Sequence, residues 1–498
     1  MTPLDVVGPD LRHLLARAAA VERRIRHAVE LRRSTDPDPD DDFRGLYLTD
    51  ENIVRLLDEE GARGFPALGG GEPGAPPAEG EPGSRLACLA RDFGLTPLDT
   101  EILLIALVPD LDDRFEAFYG YLNDDVSRRR PSIGLALGLC GAALSDPAAR
   151  ARLAAGAPLR AGGLLLAEDL HRPFLSRALR VPDRVAAHLL GDDTPDPRLA
   201  DLLAPWQAVP GVGDPAPLAG VLADGVRLAY LSEDQGGAGT ALAASALTRA
   251  GRRVLGLDLA RLAEDPSPAE AVSALVREAR LTGAGLVCAP LDAVSRERPG
   301  LLRLLTATTA TTATTATPAT TATPVPTVLV GRAPWDASWS VAPPLLLHAP
   351  RVEPSARGAL WRDAYERVSA QGHAPESRHG HGSGHAPGTS ASLPPAIAPE
   401  HLLAPFLLTP EQITGAARSA AQAARLAGGE LTADHVRCGA RAQNAAGLDR
   451  LARRIEPTVT WDDLVLPPDT HTQLRELTAR ALHRDRVLGE WGMRPGGG

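Results

Sequence analysis

At 498 residues the chain is too long for one hydrophobic core, and about three or four structural units are expected. Its formal charge of −10 disfavours nucleic acid as a partner, because arginines scattered on an acidic chain meet phosphate repulsion unless they cluster. Lysine is absent, the apolar runs Ile102–Pro109 and Ile133–Leu144 fall short of the roughly 20 residues that span a bilayer, and no basic segment leads into an apolar run at the N-terminus, so a cytoplasmic protein is expected.

Residues 1–68 read as a helical region. Leu11, Leu14, Leu15, Ala18, Val21, Ile25 and Val29 recur at helical spacing and give one apolar stripe. The acidic run Asp36–Asp42 lacks the glycine turn and distal Glu of a calcium loop and reads as a solvated linker. A short helix is expected over Thr49–Glu60, and residues 69–84, rich in Gly, Pro, Ala and Glu, read as a flexible tether.

Residues 85–200 form a second unit. The helix Leu86–Phe93, the turn at Gly94 and a helix opening at Thr96-Pro97 give helix-turn-helix punctuation. Further helices are expected at Phe115–Asn123 and Ile133–Leu139, and the segments 163–167 and 174–181 can pair as the hairpin of a winged helix. A DNA reader should present Arg, Asn or Gln to base edges, whereas Thr100–Val108 presents Glu and leucines. Arg128-Arg-Arg130 is the one dense basic cluster of this unit, and protein docking is favoured over DNA binding.

Residues 205–370 carry the pattern that organises the chain. A strand-like run, Val226–Leu231, leads into the glycine turn Gln235-Gly-Gly-Ala-Gly-Thr240, then an alanine-rich helix Ala241–Ala250 and a second strand Arg253–Leu259. In such a βαβ unit, backbone N–H groups and a helix N-terminus cradle phosphate. A working loop continues with Lys and Ser/Thr, for the β/γ-phosphates and Mg²⁺; here those positions are Thr240 and Ala241. Gly236, Gly237, Gly239 and Thr240 are therefore the candidate, degenerate phosphate-binding residues; no catalytic residue and no metal ligand is assigned. The strand of Gly285–Val294 falls where metal-binding acids should follow, and further strands are expected at Pro326–Gly331 and Pro344–Ala349. Residues 306–326, with their Thr/Ala repeat, read as an exposed disordered loop.

Residues 371–398 contain His373, His379, His381 and His385 in a Gly/Ser/Pro setting without a scaffold to fix metal geometry, and read as a linker. Short helices are expected at His401–Leu407, Thr409–Leu426 and Thr432–Ala446, and a further one at Asp469–Leu488. Cys88, Cys140, Cys288 and Cys438 are never in CxxC spacing and are expected as buried free thiols.

In this order the pieces resemble bacterial AAA ATPases with an N-terminal winged-helix region and two tandem ATPase modules. The strongest local match is Thr460-Trp-Asp-Asp-Leu464 with Leu474-Arg-Glu-Leu477 and Trp491-Gly492, which looks like the lead-in before the second module's phosphate loop. The resemblance implies an α/β P-loop-type core with a helical lid (399–455) behind a mainly α winged-helix-like domain, and a second module starting at 456–498 and cut off before its loop. It implies ATP and Mg²⁺ in the intact family member, a homo-oligomeric ring, and protein partners or substrates. It also places Ala289 and Pro290 where the family's Asp and Glu stand, Thr240 at the Lys, and Gly331 or Arg332 at the sensor residue. These losses remove charge stabilisation and metal positioning, so this chain alone is expected not to hydrolyse ATP. A non-catalytic scaffold with a dead ATPase fold and a winged-helix DNA-binding regulator are the rival readings.

Overall fold

The glycine turn sits at the end of a buried parallel strand, and the sheet around that strand fixes everything near it. The computed structural model describes residues 8–35, 83–310, 322–371, 397–428, 430–444, 460–483, 487 and 491. The acidic run, the expected helix at Thr49–Glu60, the tether over 69–82, the repeat over 311–321 and the histidines of the linker lie outside them.

The first unit is helical. Helix α1 (Pro9–Thr35) lays the predicted stripe, with Leu14, Ala18, Val21, Ile25 and Val29 all buried, against α2 (Arg85–Asp92) and α3 (Pro97–Leu111). This packing joins residues 9–35 to the core of 85–200 rather than to a separate N-terminal region. Gly94 ends α2 at φ +64, a conformation that costs only glycine nothing. Thr96 then starts α3 with a reciprocal capping box to Asp99. Helices α4 (Arg114–Leu122), α5 (Ile133–Leu139), α6 (Pro147–Ala151) and α7 (Pro158–Ala161) follow. The expected hairpin forms from β1 (Leu166–Ala167) and β2 (Leu179–Arg180), paired antiparallel, and a bridge from Ser132 to Ala178 extends it. Helix α8 (Asp183–Leu190) closes the unit.

The second unit is a sheet of six strands. After the short β3 (Leu203–Ala204) and helix α9 (Ala216–Ala223), the chain runs β4 (Leu228–Glu233), α10 (Gly239–Arg249), β5 (Arg253–Asp258), α11 (Leu259–Glu264), α12 (Pro268–Thr282) and β6 (Ala284–Ala289). It continues through α13 (Asp292–Ser295), α14 (Pro299–Thr309), β7 (Thr327–Gly331) and β8 (Leu345–Ala349). The order is β3-β5-β6-β7-β4-β8, with β3 antiparallel to β5 and every other pair parallel. β6 and β7 are buried at every position, as expected of parallel strands covered on both faces. Helix α10 lies close to the sheet because its inner face is Ala241, Ala243, Ala244 and Ala246, and a Cβ on Gly285 would meet Leu247 Cδ2 at 2.4 Å.

Two expectations are corrected here. Residues 306–309 are not part of an exposed loop: they complete α14, whose Leu302, Leu305, Thr306 and Thr309 are buried. The threonines are accommodated by bonding back to the chain, with Thr306 Oγ1 donating to Trp339 O at 2.8 Å. The helix expected at His401–Leu407 is the short α16 (Pro399–Leu402). Helix α15 (Pro354–Gln371) packs with α17 (Pro410–Leu426), which packs with α18 (Ala433–Asn444), and Trp361, fully buried, stacks on Tyr365. Helix α19 (Pro468–Leu482) follows an exposed Trp461 and Val465.

The two units meet along α12. Arg184 donates through Nε and Nη2 to the Glu278 carboxylate, both at 2.7 Å, with side chains 5% and 1% exposed. Arg277 pairs with Asp196, the Arg280 guanidinium lies 5.7 Å from the Phe93 ring, and Thr323 N donates to Asp92 O at 2.9 Å. Removing one partner of a buried pair leaves a charge without compensation. Glu278→Ala is expected to cost about 3–5 kcal/mol, seen as a lower midpoint of urea unfolding. A loss no larger than that of Asp363→Ala, which breaks an exposed pair with Arg367, would show that the junction carries no such weight.

Candidate functional site

The glycine turn follows β4 at the point where the sheet order reverses: β4 lies between β7 and β8, and the chain leaves it for β5 on the far side of β6. In open α/β sheets such a switch point at the carboxyl ends of the strands is where ligands bind. The strand was expected over Val226–Leu231, but it spans Leu228–Glu233, which carries Glu233 to the strand's very end. From there its side chain turns into the loop.

Three of the loop's amides are taken. Gly237 N donates to Asp234 O at 2.9 Å, Ala238 N to Pro350 O at 3.1 Å, and Gly239 N to Glu233 Oε2 at 2.8 Å. A carboxylate thus stands where a phosphate oxygen would accept from the last glycine and the α10 N-terminus. The glycines are required by this close approach. A Cβ on Gly237 would meet Glu233 Oε2 at 2.8 Å, and one on Gly239 would meet Val330 Cγ1 at 2.4 Å. Gly236, at φ +76, passes so near the lid that its Cβ would lie 2.9 Å from the Leu407 carbonyl carbon. Thr240, at the lysine position, donates through Oγ1 to Glu411 Oε1 of α17 at 2.6 Å. Arg351 pairs with Asp234 at 3.0 Å across the loop's other side. The four candidate residues are therefore together, and each faces an acceptor or an atom of its own chain.

Charge around the loop is acidic. Burial pushes the Glu233 carboxyl above its ordinary range, Glu411 and Asp292 push it further, and the Gly239 amide and Arg332 partly offset this. Ala289 ends β6 and Pro290 follows it, so neither position carries an acid. Arg332, at the sensor position, is exposed and donates from its backbone N to Asp292 Oδ2 at 2.9 Å. Beside it opens a cleft of about 880 Å³ whose walls include Arg296, Arg332, Trp335 and Trp339. No cluster of His, Cys, Asp or Glu among the described residues could hold a metal ion. Of the cysteines only Cys288 is buried; Cys88 and Cys140 are half-buried and Cys438 is exposed, which corrects the expectation for three of them.

In the winged-helix unit the helix considered for base reading is core. Ile102 through Val108 have no exposed surface, α1 covers them, and Arg17 and Arg24 of α1 pair with Glu101. The arginines of the α6 region are held as well: Arg150 lies 4.8 Å over the Phe174 ring, and Arg152 Nε donates to the buried Asp99 at 2.9 Å. No helix among the described residues is long and apolar enough to cross a membrane.

Neither Glu233 nor Glu411 stood out in the sequence. The readable signal for Glu233 was an acid at a strand end directly before a glycine turn; Glu411 lies 178 residues along the chain from it and had none. Glu233 is held with its folded pKa raised, so it favours the folded state below the unfolded carboxyl pKa and loses that contribution as the pH rises through the folded value. Glu233→Gln, which keeps an acceptor for Gly239 N and removes the charge, is expected to raise the thermal midpoint at pH 7. That advantage should shrink as the pH falls through the carboxylate range. A variant less stable than the wild type at pH 7 would overturn this sign.

Comparison with known protein families matches residues 74–203 to the winged helix domain, variant. No curated protein matches the chain. The match spans α2 to α8 and the β1–β2 hairpin, so this part of the chain is a winged helix domain.

Proposed function

We propose that residues 1–498 form a non-catalytic, partner-docking part of an AAA-type ATPase, in which a winged helix domain is fixed on a nucleotide-fold module that neither binds nor hydrolyses ATP. The observation that carries this reading is the glycine loop, in which the amides of Gly237, Ala238 and Gly239 are satisfied by Asp234 O, Pro350 O and the Glu233 carboxylate. Support for the AAA-like architecture comes from the parallel strand order, with the glycine turn at the switch point, and from the α15–α18 helices resting on that turn through Leu407 and Glu411. Thr240, Ala289 and Pro290 supply neither a cation for phosphate nor a carboxylate for Mg²⁺ and water.

In this reading ATP and Mg²⁺ belong to a second module, for which Thr460–Leu464 is the lead-in. Partner subunits in a homo-oligomeric ring and a protein substrate follow from the family resemblance. The winged helix domain recruits protein rather than duplex DNA, because its apolar helix α3 is buried and Arg150 and Arg152 are engaged internally. The rival scaffold reading shares the inert module and differs only in having no active partner module.

The test uses residues 1–498 themselves. A ligand with a micromolar Kd, present at about 1 mM, would stabilise the folded protein by about 4 kcal/mol. Mg-ATP at that concentration is expected to leave the thermal midpoint unchanged and to give no phosphate release. Either a clear upward shift or turnover abolished by Gly239→Val would overturn the reading. For the winged helix domain, a fluorescent duplex is expected to show no salt-dependent binding near 50 mM salt, where phosphate contacts are strongest.

A further inference from the structure

We propose that the cavity between the Arg128–Arg130 loop and the β1–β2 hairpin of the winged helix domain binds a phosphomonoester dianion. The cavity has a volume of about 280 Å³, and Arg128, Arg129, Arg130 and Arg172 line it from two separate chain segments. Convergence of like charges is unfavourable unless a counter-charge is present. The protein supplies that counter-charge only loosely. Arg129 reaches Glu116 at 3.3 Å, Arg130 reaches Asp110 at 3.3 Å and Arg172 reaches Asp169 at 3.7 Å. Well-formed charge-assisted bonds are about 2.7–2.9 Å long.

Two of the inner donors have no acceptor. Arg128 Nε and Arg130 Nη1 are shielded from solvent without a hydrogen bond, although Asp125 Oδ2 lies 3.2 Å from the former out of alignment. Buried donors in this state carry a desolvation cost that an arriving acceptor removes. Glu168, which also lines the cavity, is engaged by Arg180 at 2.7 Å. The hydroxyl of Ser132 accepts from Leu135 N at 3.2 Å and keeps its hydrogen for a ligand.

Both walls are set in place beforehand. Asn123 Nδ2 donates to Arg128 O at 3.3 Å and to Arg130 O at 3.0 Å, which fixes the loop. On the hairpin, Arg177 Nε donates to Arg172 O at 3.1 Å. A preorganised site loses less freedom on binding.

The ligand is a compact dianion rather than a nucleic-acid strand. Asp110, Glu116, Asp125 and Asp169 stand around the arginines, where they would repel phosphates repeated along a backbone more than one compact tetrahedral group in the cavity. The site rests on the winged helix domain alone and does not depend on the reading of the glycine loop.

The experiment titrates the full chain by calorimetry with inorganic phosphate, O-phosphoserine, serine, a phosphoserine peptide, its unphosphorylated form and a single-stranded oligonucleotide. Saturable, phosphate-dependent binding with a Kd below about 1 mM, or −4.1 kcal/mol, is expected. Arg172→Ala, on the half-exposed hairpin, and Arg130→Ala are each expected to weaken it at least about tenfold, and Arg130→Lys to restore part of the loss. Arg253→Ala, which removes a charge elsewhere, should change nothing. Equal affinity for O-phosphoserine and the phosphopeptide identifies a small phosphorylated ligand; tighter binding of the phosphopeptide identifies a phosphorylated protein. No saturable phosphate binding, binding indifferent to Arg172→Ala, or an oligonucleotide that binds as tightly would each overturn the assignment.

Discussion

Gly239 donates its amide hydrogen to the carboxylate of Glu233 at the end of β4, and the conformation of the glycine loop depends on that bond. Glu233 can reach the amide only because β4 runs on to residue 233 and because Gly237 and Gly239 have no Cβ to block it. The Gly237 and Ala238 amides turn to Asp234 O and Pro350 O, and the Thr240 hydroxyl donates to Glu411 of α17. The glycine loop is thereby an internal joint between β4, α10 and α17. The cost is visible in the raised affinity of Glu233 for its proton, since a buried carboxylate with acidic neighbours and one amide donor is poorly compensated.

The winged helix domain solves a different problem with arginine. Every basic side chain apart from histidine is arginine, and several of them act as structural forks: Arg184 on Glu278 at the junction, Arg85 on Asp193 at 2.6 and 3.0 Å, Arg152 on Asp99. A planar guanidinium satisfies two carboxylate oxygens at once, which suits a buried pair better than an ammonium does. Because so many arginines are occupied in this way, the overall arginine content says little about external anions. The triplet Arg128–Arg130 has pairings of 3.2 to 3.3 Å, and Arg128 Nε and Arg130 Nη1 are without acceptors.

Much of the architecture was legible along the chain because it is written in local patterns. The α1 stripe, the Gly94 turn with its Thr96 cap, the hairpin segments and the strands at 253–259, 326–331 and 344–349 follow from period, capping and glycine placement. That Thr240, Ala289 and Pro290 carry neither a cation nor an acid was equally readable, as residue identity. Readings failed where tertiary burial overrode local signals. Thr306 and Thr309 look like loop residues, yet they lie in a helix against Trp339, and Thr100–Val108 looks like a presented helix until α1 is seen to cover it.

The sequence by itself determined the order of elements, the identities at Thr240, Ala289 and Pro290, and the acidic balance of the chain, because these depend only on residue identity and near-neighbour spacing. The tertiary structure alone decided that Glu233 enters the glycine loop, that Glu411 meets Thr240 across 171 positions, and that Arg128–Arg130 and Arg172 share one cavity. Such contacts arise from sheet order and lid packing, in which residues far apart in the chain are brought within hydrogen-bond distance, and spacing along the sequence carries no record of that distance.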